Sequence, residues 1–320
     1  MKYKKILIVY KTPVLELYKA KSTELERMIR EEGLDVKDLE AELEADKEAR
    51  KVIEKTLKKD KGVKFDWKYR GELSKKLVKK YDLIMTFGGD GTLMEASHYI
   101  NNKPVFGINS DYRPEADSSE GFFLAANKTD FPEKYKQLQK GKMKTYKFNR
   151  LQLELNGKKL EELVLNDVLV VHKHPAATSR MVLKDGDLEE FQKSSGTIIA
   201  TAASNWAIKA GGTVLPIEGK EFQYVTRELY IGRLNPNPKM ETGATKNLEV
   251  FSKMREGMLY VDGKHIEYPF GLGAKLKVYP TKPLKIIGFN EENREKYYAQ
   301  PSKNLLAENI LKLYDKDHYW

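Results

Sequence analysis

The spacing of apolar positions changes character once along the chain, near residue 146. Before it, KILIVY (5–10), GVKFDWKYR (62–70), DLIMTF (82–87) and KPVFGIN (103–109) are short runs rich in β-branched and aromatic residues. Such runs read as strands, and the near-continuous apolar ones as strands buried on both faces. Between them, residues 22 to about 61 repeat Leu, Ile and Ala at helical spacing among acid–base pairs, which predicts a pair of charged surface helices. ELSKKLVKKY (72–81) and TLMEASHYI (92–100) predict two more helices. Strands alternating with helices predict a doubly wound parallel sheet over about the first 125 residues.

From residue 146 the pattern becomes apolar–polar alternation: YKFNRLQLELNG, LVLNDVLVVHK, SRMVLKDGD, GTIIATA, RELYIGRL, GMLYVDGKHIEYPF and AKLKVYP. Asn-Gly and Asp-Gly pairs punctuate these segments, the dipeptides that two-residue hairpin turns require. The fold class that follows is α/β plus all-β: a Rossmann-like α/β domain over 1–145, then an antiparallel, sandwich-like β domain over 146–290. Leu305, Ile310, Leu311 and Leu313 recur at helical spacing, which predicts that 291–320 form a C-terminal helix returning to the first domain.

Composition narrows the chemistry. The 320 residues are 40% hydrophobic and 32% charged, enough apolar mass for a sizeable core. There is no cysteine, which excludes disulfides, thiolate catalysis and cysteine-built zinc sites, and suits the cytoplasm. The net charge of +10 comes from lysines dispersed among glutamates, the texture of a solvated surface and not of a nucleic-acid stripe. No apolar run approaches the roughly 18 residues that a membrane span needs, and a strand begins almost at Met1 where a leader peptide would lie. His172 and His174 alternate on one strand face, but no third metal ligand accompanies them, so no protein-built metal site is expected.

The sharpest motif is GGDGT, Gly88 to Thr92, directly after the DLIMTF strand. At the carboxyl end of a parallel strand, glycines let the backbone approach phosphate oxygens, and the following helix offers its positive end. Thr92 stands where it would cap that helix. Asp90 in such a turn suits a general base toward a hydroxyl, or a group that orients a metal. Neither a Walker sequence nor GxGxxG is present.

GGDGT resembles the signature shared by the NAD kinases, the diacylglycerol and sphingosine lipid kinases and related phosphofructokinases. Further segments, in order from about residue 4 to 290, resemble the NAD kinases. PVFGINSD followed by SSEGFFLAA is similar to the family's step near the adenine pocket, and LVLNDVLVVHK to its Asn-Glu motif, with Asp167 for Glu. SSGTIIATAASNWAIKAGG occupies the place of the central β-domain motif, with TAASNWAIKAGG where the family has TPTGSTAY. Lys11-Thr12, the long helical insert, TSR (178–180), KSSG (193–196) and REL (227–229) resemble the mitochondrial-type branch and its microbial relatives.

The resemblance implies an NAD kinase-like fold and an ATP-dependent kinase that phosphorylates the adenosine ribose 2′-hydroxyl of NAD(H), with Asp90 as general base. Lys11, Gly88, Gly89, Gly91 and Thr92 would bind phosphate, while Asn109, Phe122, Phe123, Asn166, Asp167, Arg180, Ser195, Asn205, Trp206 and Ala207 would bind NAD. Mg²⁺ would arrive with ATP, and a homodimer joined through the β domain is implied, with neither nucleic acid nor membrane as partner. GGDGTLMEAS, with its Glu95, leaves open a kinase of the same fold acting on a lipid, polyol or other nucleoside hydroxyl, and the altered loop a nucleotide-binding regulator without turnover.

Overall fold

The computed structural model describes residues 2–19, 27, 36–113, 121–233 and 235–299. The chain divides into two compact units, Met1–Phe148 with Lys282–Asn290, and Asn149–Thr281 with Glu291–Trp320. The first of the two predicted insert helices and the leucine-bearing helix from 302 onward fall outside the described residues.

In the first unit the elements run β1 (Lys5–Tyr10), α1 (Val14–Lys19), α2 (Val36–Lys58), β2 (Lys64–Tyr69), α3 (Lys75–Val78), β3 (Leu83–Gly88), α4 (Asp90–Ser97), β4 (Pro104–Asn109), β5 (Leu124–Ala126) and α5 (Phe131–Gln139). The strands lie in the order β2, β1, β3, β4, all parallel. Every residue of β3 is buried, as its unbroken apolar run requires. Helix α2 is more than a surface helix: Ala49, Ile53 and Leu57, at four-residue spacing, pack with Ile6, Ile8, Met85 and Phe87 in one core. Full burial of such an aliphatic side chain contributes about 2 kcal/mol.

Two expectations are corrected here. The helix read over 72–81 is confined to Lys75–Val78, capped by Ser74, whose Oγ accepts the Leu77 N–H at 3.2 Å; the flanking lysine pairs give it no apolar face to extend. Helix α4 begins at Asp90, with Gly89 as its N-cap, so Thr92 lies inside the first turn and caps nothing.

The strand order places a topological switch point between β1 and β3, since the chain winds to β2 on one side and to β4 on the other. Ligands meet doubly wound sheets at the carboxyl edge of this point. Lys11, just after β1, and Gly88, at the end of β3, stand there because Tyr10 pairs with Phe87.

The second unit is antiparallel. Its elements are the remainder of β6 (Thr145–Leu155), then β7 (Lys158–Val164), β8 (Asp167–His172), β9 (Ser179–Asp185), β10 (Leu188–Ser194), β11 (Thr197–Ala200), α6 (Asn205–Lys209), β12 (Phe222–Thr226), β13 (Thr242–Thr245), β14 (Leu248–Ser252), β15 (Gly257–Val261), β16 (Ile266–Pro269), the first part of β17 (Lys275–Ile287) and α7 (Glu291–Ala299). One sheet runs β10, β9, β14, β17, with β6 joining β17 and β7; the other runs β13, β12, β11, β8, β15, β16. Alternate residues of both sheets, among them Leu153, Val170, Leu183, Ile199, Val250, Leu259 and Val278, form one fully buried core. Asn156 and Gly157, with φ of 50° and 80°, turn β6 into β7, the left-handed pair that Asn-Gly predicts.

RELYIGRL departs from expectation. The strand in that region is β12, Phe222–Thr226, whereas Tyr230 and Ile231 are 62% and 61% exposed, and beyond β12 the segment keeps only separate backbone bonds, among them Tyr230 N–H to the Lys193 carbonyl of β10 at 2.8 Å. Its alternation has no covered face to serve. In α7, Arg294 donates to the Ala202 and Leu215 carbonyls at 3.0 and 3.2 Å, contacts within the second unit. Among the described residues no helix is long and apolar enough to cross a membrane.

Candidate active site

In the first unit the GGDGT turn is shaped by one steric demand. A Cβ on Gly88 would lie 2.2 Å from Thr92 Oγ1 and 2.9 Å from Thr92 Cβ. Only glycine therefore lets the buried Thr92 side chain fold back over the strand end. A Cβ on Gly91 would meet nothing within 4 Å, so the first turn of α4 faces open space. With the helix N-terminus pointing into that space, the turn is suited to an anion.

Asp90 is fixed from a distance in sequence. Its Oδ2 accepts the Phe122 N–H at 3.1 Å and its Oδ1 the Phe123 N–H at 3.0 Å. Those amides are held in turn by their side chains: Phe122 and Phe123 are 3% and 4% exposed, and the Phe123 ring packs edge-on against Phe148 at 5.6 Å. Both phenylalanines thus act here as core anchors that present backbone donors, and their rings face no open space.

Around this centre, Asn109 ends β4 in register with Gly88, and its Oδ1 accepts the Asp111 N–H at 3.0 Å. Lys11 Nζ pairs with Glu42 of α2 at 3.0 Å, its stem lying beside Gly88. Glu95 pairs with Arg70 at 2.9 Å, an ion pair that accounts for its charge.

In the second unit, Leu165 and Asn166 form the turn between β7 and β8, Asp167 opens β8, and one carboxylate organises all three. Asp262, in the β15–β16 turn, accepts the backbone N–H groups of Leu165, Asn166 and Asp167 at 2.8, 2.8 and 3.0 Å. Burial pushes the Asp262 carboxyl up to about 7, against the pull of these donors, while the Asp167 charge adds to the rise. Arg150, 1% exposed, is its cationic counterpart, and burial brings that guanidinium down to about 10 against the attraction of Asp262.

The TAASN loop is tied to the same turn. Thr201 donates its N–H to the Asn166 carbonyl at 2.9 Å and its hydroxyl to the Leu165 carbonyl at 2.5 Å. Ser204 Oγ donates to Asp167 Oδ2 at 2.7 Å and accepts the Ala207 N–H at 3.2 Å as the N-cap of α6. Asn166 Nδ2 donates to the same Asp167 Oδ2 at 2.9 Å. Oδ1 keeps its acceptor capacity. Burial raises Asp167 to about 6, and the Ser204 hydrogen bond works the other way.

Beside it, Trp206 is 45% exposed, so its ring is no part of the core, and Arg227 stacks over it at 5.6 Å. Asn205 accepts the Tyr298 hydroxyl, and Ala207 is buried against Ile198, Ala200 and Val225.

Arg180 and Ser195 form a separate group. Ala200 pairs with Asp167 at one end of β11, whereas Ser195 precedes its other end, about a strand length away. There Ser195 Oγ donates to Glu228, and both line an open cavity of about 360 Å³ with Arg180, Lys193 and Tyr230. His172 Nδ1 accepts the His174 N–H at 3.0 Å, and among the described residues no group of three or more carboxylate or imidazole side chains is arranged to hold a metal ion.

Sequence reasoning missed Asp262, Arg150, Thr201, Ser204 and the amides of Phe122 and Phe123. Ser204, a serine directly before the NWAIK helix, was signalled by its capping position. Asp262 read only as half of an Asp-Gly turn, and the amides carry no side-chain signal at all.

No family model matches the chain. Among curated proteins it is similar to a probable NADH kinase of Oryza sativa subsp. japonica, 34% identical over 230 residues that cover 64% of this chain and 70% of the relative. The NADH kinase of Arabidopsis thaliana is 28% identical over 251 residues, covering 68% and 76%. Among solved structures, an NAD kinase from Archaeoglobus fulgidus in complex with ATP superposes with a TM-score of 0.64 at 19% identity, covering 92% of this chain and 97% of that one. That likeness shows the α/β plus all-β fold.

Proposed function

The chain belongs to the NAD kinase family, and from that premise we propose that it transfers the terminal phosphoryl group of ATP to the adenosine ribose 2′-hydroxyl of NAD(H), giving NADP(H). The observation that carries the reading is the Asp90 carboxylate, held by two backbone donors at the first turn of a helix at the sheet's switch point. A base must be aimed before it is basic, and those N–H groups fix the carboxylate plane. A carboxylate oxygen carries two lone pairs, so one that accepts a backbone N–H can also accept the ribose hydroxyl proton.

As the 2′-oxygen bonds to phosphorus, the bond from phosphorus to the bridging oxygen breaks in line, ADP leaves and Asp90 takes the proton. Gly89 and Gly91 receive the phosphates, the open space at Gly91 supporting close approach, with Lys11 at their edge; Gly88 and the buried Thr92, whose N–H is bonded to the Gly89 carbonyl, shape the turn beneath them. In the second unit Asn166 and Asp167 are the dinucleotide-binding pair, Asp167 Oδ1 accepting a hydroxyl or amino group, with Asn205 and Trp206 beside them; Trp206 offers a stacking face, whereas the buried Ala207 supports the loop from beneath, and in the first unit Asn109 serves the dinucleotide. Phe122 and Phe123 contribute through their amides. Magnesium needs few protein ligands when phosphates and water supply the rest, so this donor set, one carboxylate at the turn, fits it; when bound it would neutralise charge on the transferring group.

Purified protein with ATP and Mg²⁺ should form NADP from NAD, or NADPH from NADH, read by a dehydrogenase specific for the phosphorylated dinucleotide. Asp90→Asn keeps an acceptor for one amide and should lower kcat by about 10²–10⁴ with the fold intact. Absence of product from both dinucleotides, or an unchanged Asp90→Asn rate, refutes the assignment.

A further inference from the structure

Helix α2 carries a second pattern beside its apolar stripe. Asp38, Glu42 and Asp46 recur at four-residue spacing, which lines their carboxylates along one face. The first two meet cations from the carboxyl edge of the sheet: Asp38 pairs with Arg113, past the end of β4, and Glu42 with Lys11, just past β1, at 3.0 Å. Asp46 is 4% exposed, and its Oδ2 has no hydrogen-bond partner among the described residues. Burial raises that carboxyl to about 6 against the attraction of Arg50 and Lys11, while Glu16 and Glu42 add to the rise. Arg50, one turn further on, is engaged by the rings of Trp67, Tyr10 and Phe87 at 4.3, 4.7 and 5.7 Å. Lys11 reaches the GGDGT turn itself, its Cγ standing 3.4 Å from where a Cβ on Gly88 would lie.

We infer that Glu42 is a positioning residue for phosphoryl transfer, holding the Lys11 ammonium at the edge of the phosphate turn before ATP arrives. This role rests on the reading of Lys11 as a phosphate-binding residue. An ammonium has three N–H donors and Glu42 accepts one, so the others stay available for phosphate oxygens. A lysine loses much rotamer freedom when it is fixed, and one fixed beforehand spares the ligand that cost.

The pair is built to stay formed. The Lys11 and Glu42 side chains are 28% and 12% exposed, so solvent screens them less than a surface ion pair. Glu42 stands on a helix packed against the sheet through Ala49, Ile53 and Leu57, which gives its carboxylate a firm mount. Paired with Lys11 it presents no net negative charge; unpaired, it would repel phosphate.

Steady-state kinetics of the full chain, with ATP varied at saturating NAD(H), tests this. Glu42→Ala should raise KM for ATP by about three- to tenfold, and Glu42→Gln, which keeps an acceptor oxygen, should recover part of that. The kcat should stay near wild type, because the Lys11 contact, once made, serves ground and transition states alike. Lys11→Ala should raise KM further, since it leaves the Glu42 charge facing phosphate, and adding Glu42→Ala to it should bring KM back down. Glu54→Ala breaks the Glu54–Lys58 pair further along the same helix and should change nothing. A wild-type or lowered KM in both Glu42 variants, or losses that simply add in the double variant, overturns the positioning role. If Lys11→Ala keeps the wild-type KM, the phosphate role of Lys11 falls and this one with it; a raised KM there beside a wild-type KM in Glu42→Ala overturns Glu42 alone.

Discussion

Ser204→Ala separates two jobs done by one hydroxyl. Ser204 Oγ caps α6 through the Ala207 N–H and also donates to the buried Asp167 carboxylate at 2.7 Å. Loss of a serine cap costs about 1 kcal/mol at any pH. Loss of the second bond depends on the charge of Asp167: about 1 kcal/mol when the acceptor is neutral and about 2 kcal/mol when it is ionised. Asp167 stands at about 6 in the fold, raised from 3.8 chiefly by burial. A raised carboxyl stabilises the fold below the unfolded value, and that contribution is lost as pH rises through the folded value. Removing the hydroxyl moves the folded value further up, which enlarges the loss at high pH.

The variant should therefore melt lower by about 2 kcal/mol near pH 4.5 and about 3 kcal/mol near pH 8. At roughly 3 °C per kcal/mol for a unit of this size, the difference between the two conditions is about 3 °C. Scanning calorimetry at both pH values measures it. A second readout is independent of stability: if ionised Asp167 binds the dinucleotide, its KM should rise as pH falls through about 6, and that rise should begin at higher pH in the variant. An equal melting shift at both pH values, with an unmoved KM profile, would show that the hydroxyl only caps a helix and refute the coupling to Asp167.

Two glycines of one turn should respond oppositely. Gly88→Ala forces a Cβ to 2.2 Å from Thr92 Oγ1 and should destabilise the first unit by about 1–3 kcal/mol in urea unfolding. Gly91→Ala meets nothing within 4 Å and should leave stability equal or slightly raised while increasing KM for ATP, because its methyl occupies the space proposed for phosphate. Asp262→Ala strips three backbone donors of their acceptor and leaves buried Arg150 without its counter-charge; a loss of about 3–5 kcal/mol is expected in the same assay.

Local pattern was enough for much of this protein. KILIVY, DLIMTF and KPVFGIN fold as β1, β3 and β4 within a residue of the reading, because an unbroken apolar run that short is stable only when both faces are covered. Asn156-Gly157 turns a hairpin because those two residues tolerate positive φ. RELYIGRL shows the limit: alternation makes a strand only where a core covers one face, and here Tyr230 and Ile231 are exposed. In α2 the sequence showed the charged face clearly, and the buried stripe of Ala49, Ile53 and Leu57 was masked by the lysines and glutamates around it.

For the candidate site, the sequence by itself determined which residue types gather at two turns: glycines and an aspartate at the end of β3, an asparagine–aspartate pair at the start of β8. Tertiary structure decided how they are held. Asp90 is oriented by amides 32 and 33 residues away, and the Asn166–Asp167 turn by an Asp262 carboxylate 95 to 97 residues away. Periodicity reports burial because burial acts on each residue where it stands. A hydrogen bond between distant segments forms only after the chain has packed, and a backbone N–H is the same in every residue but proline, so no pattern in the sequence records its partner.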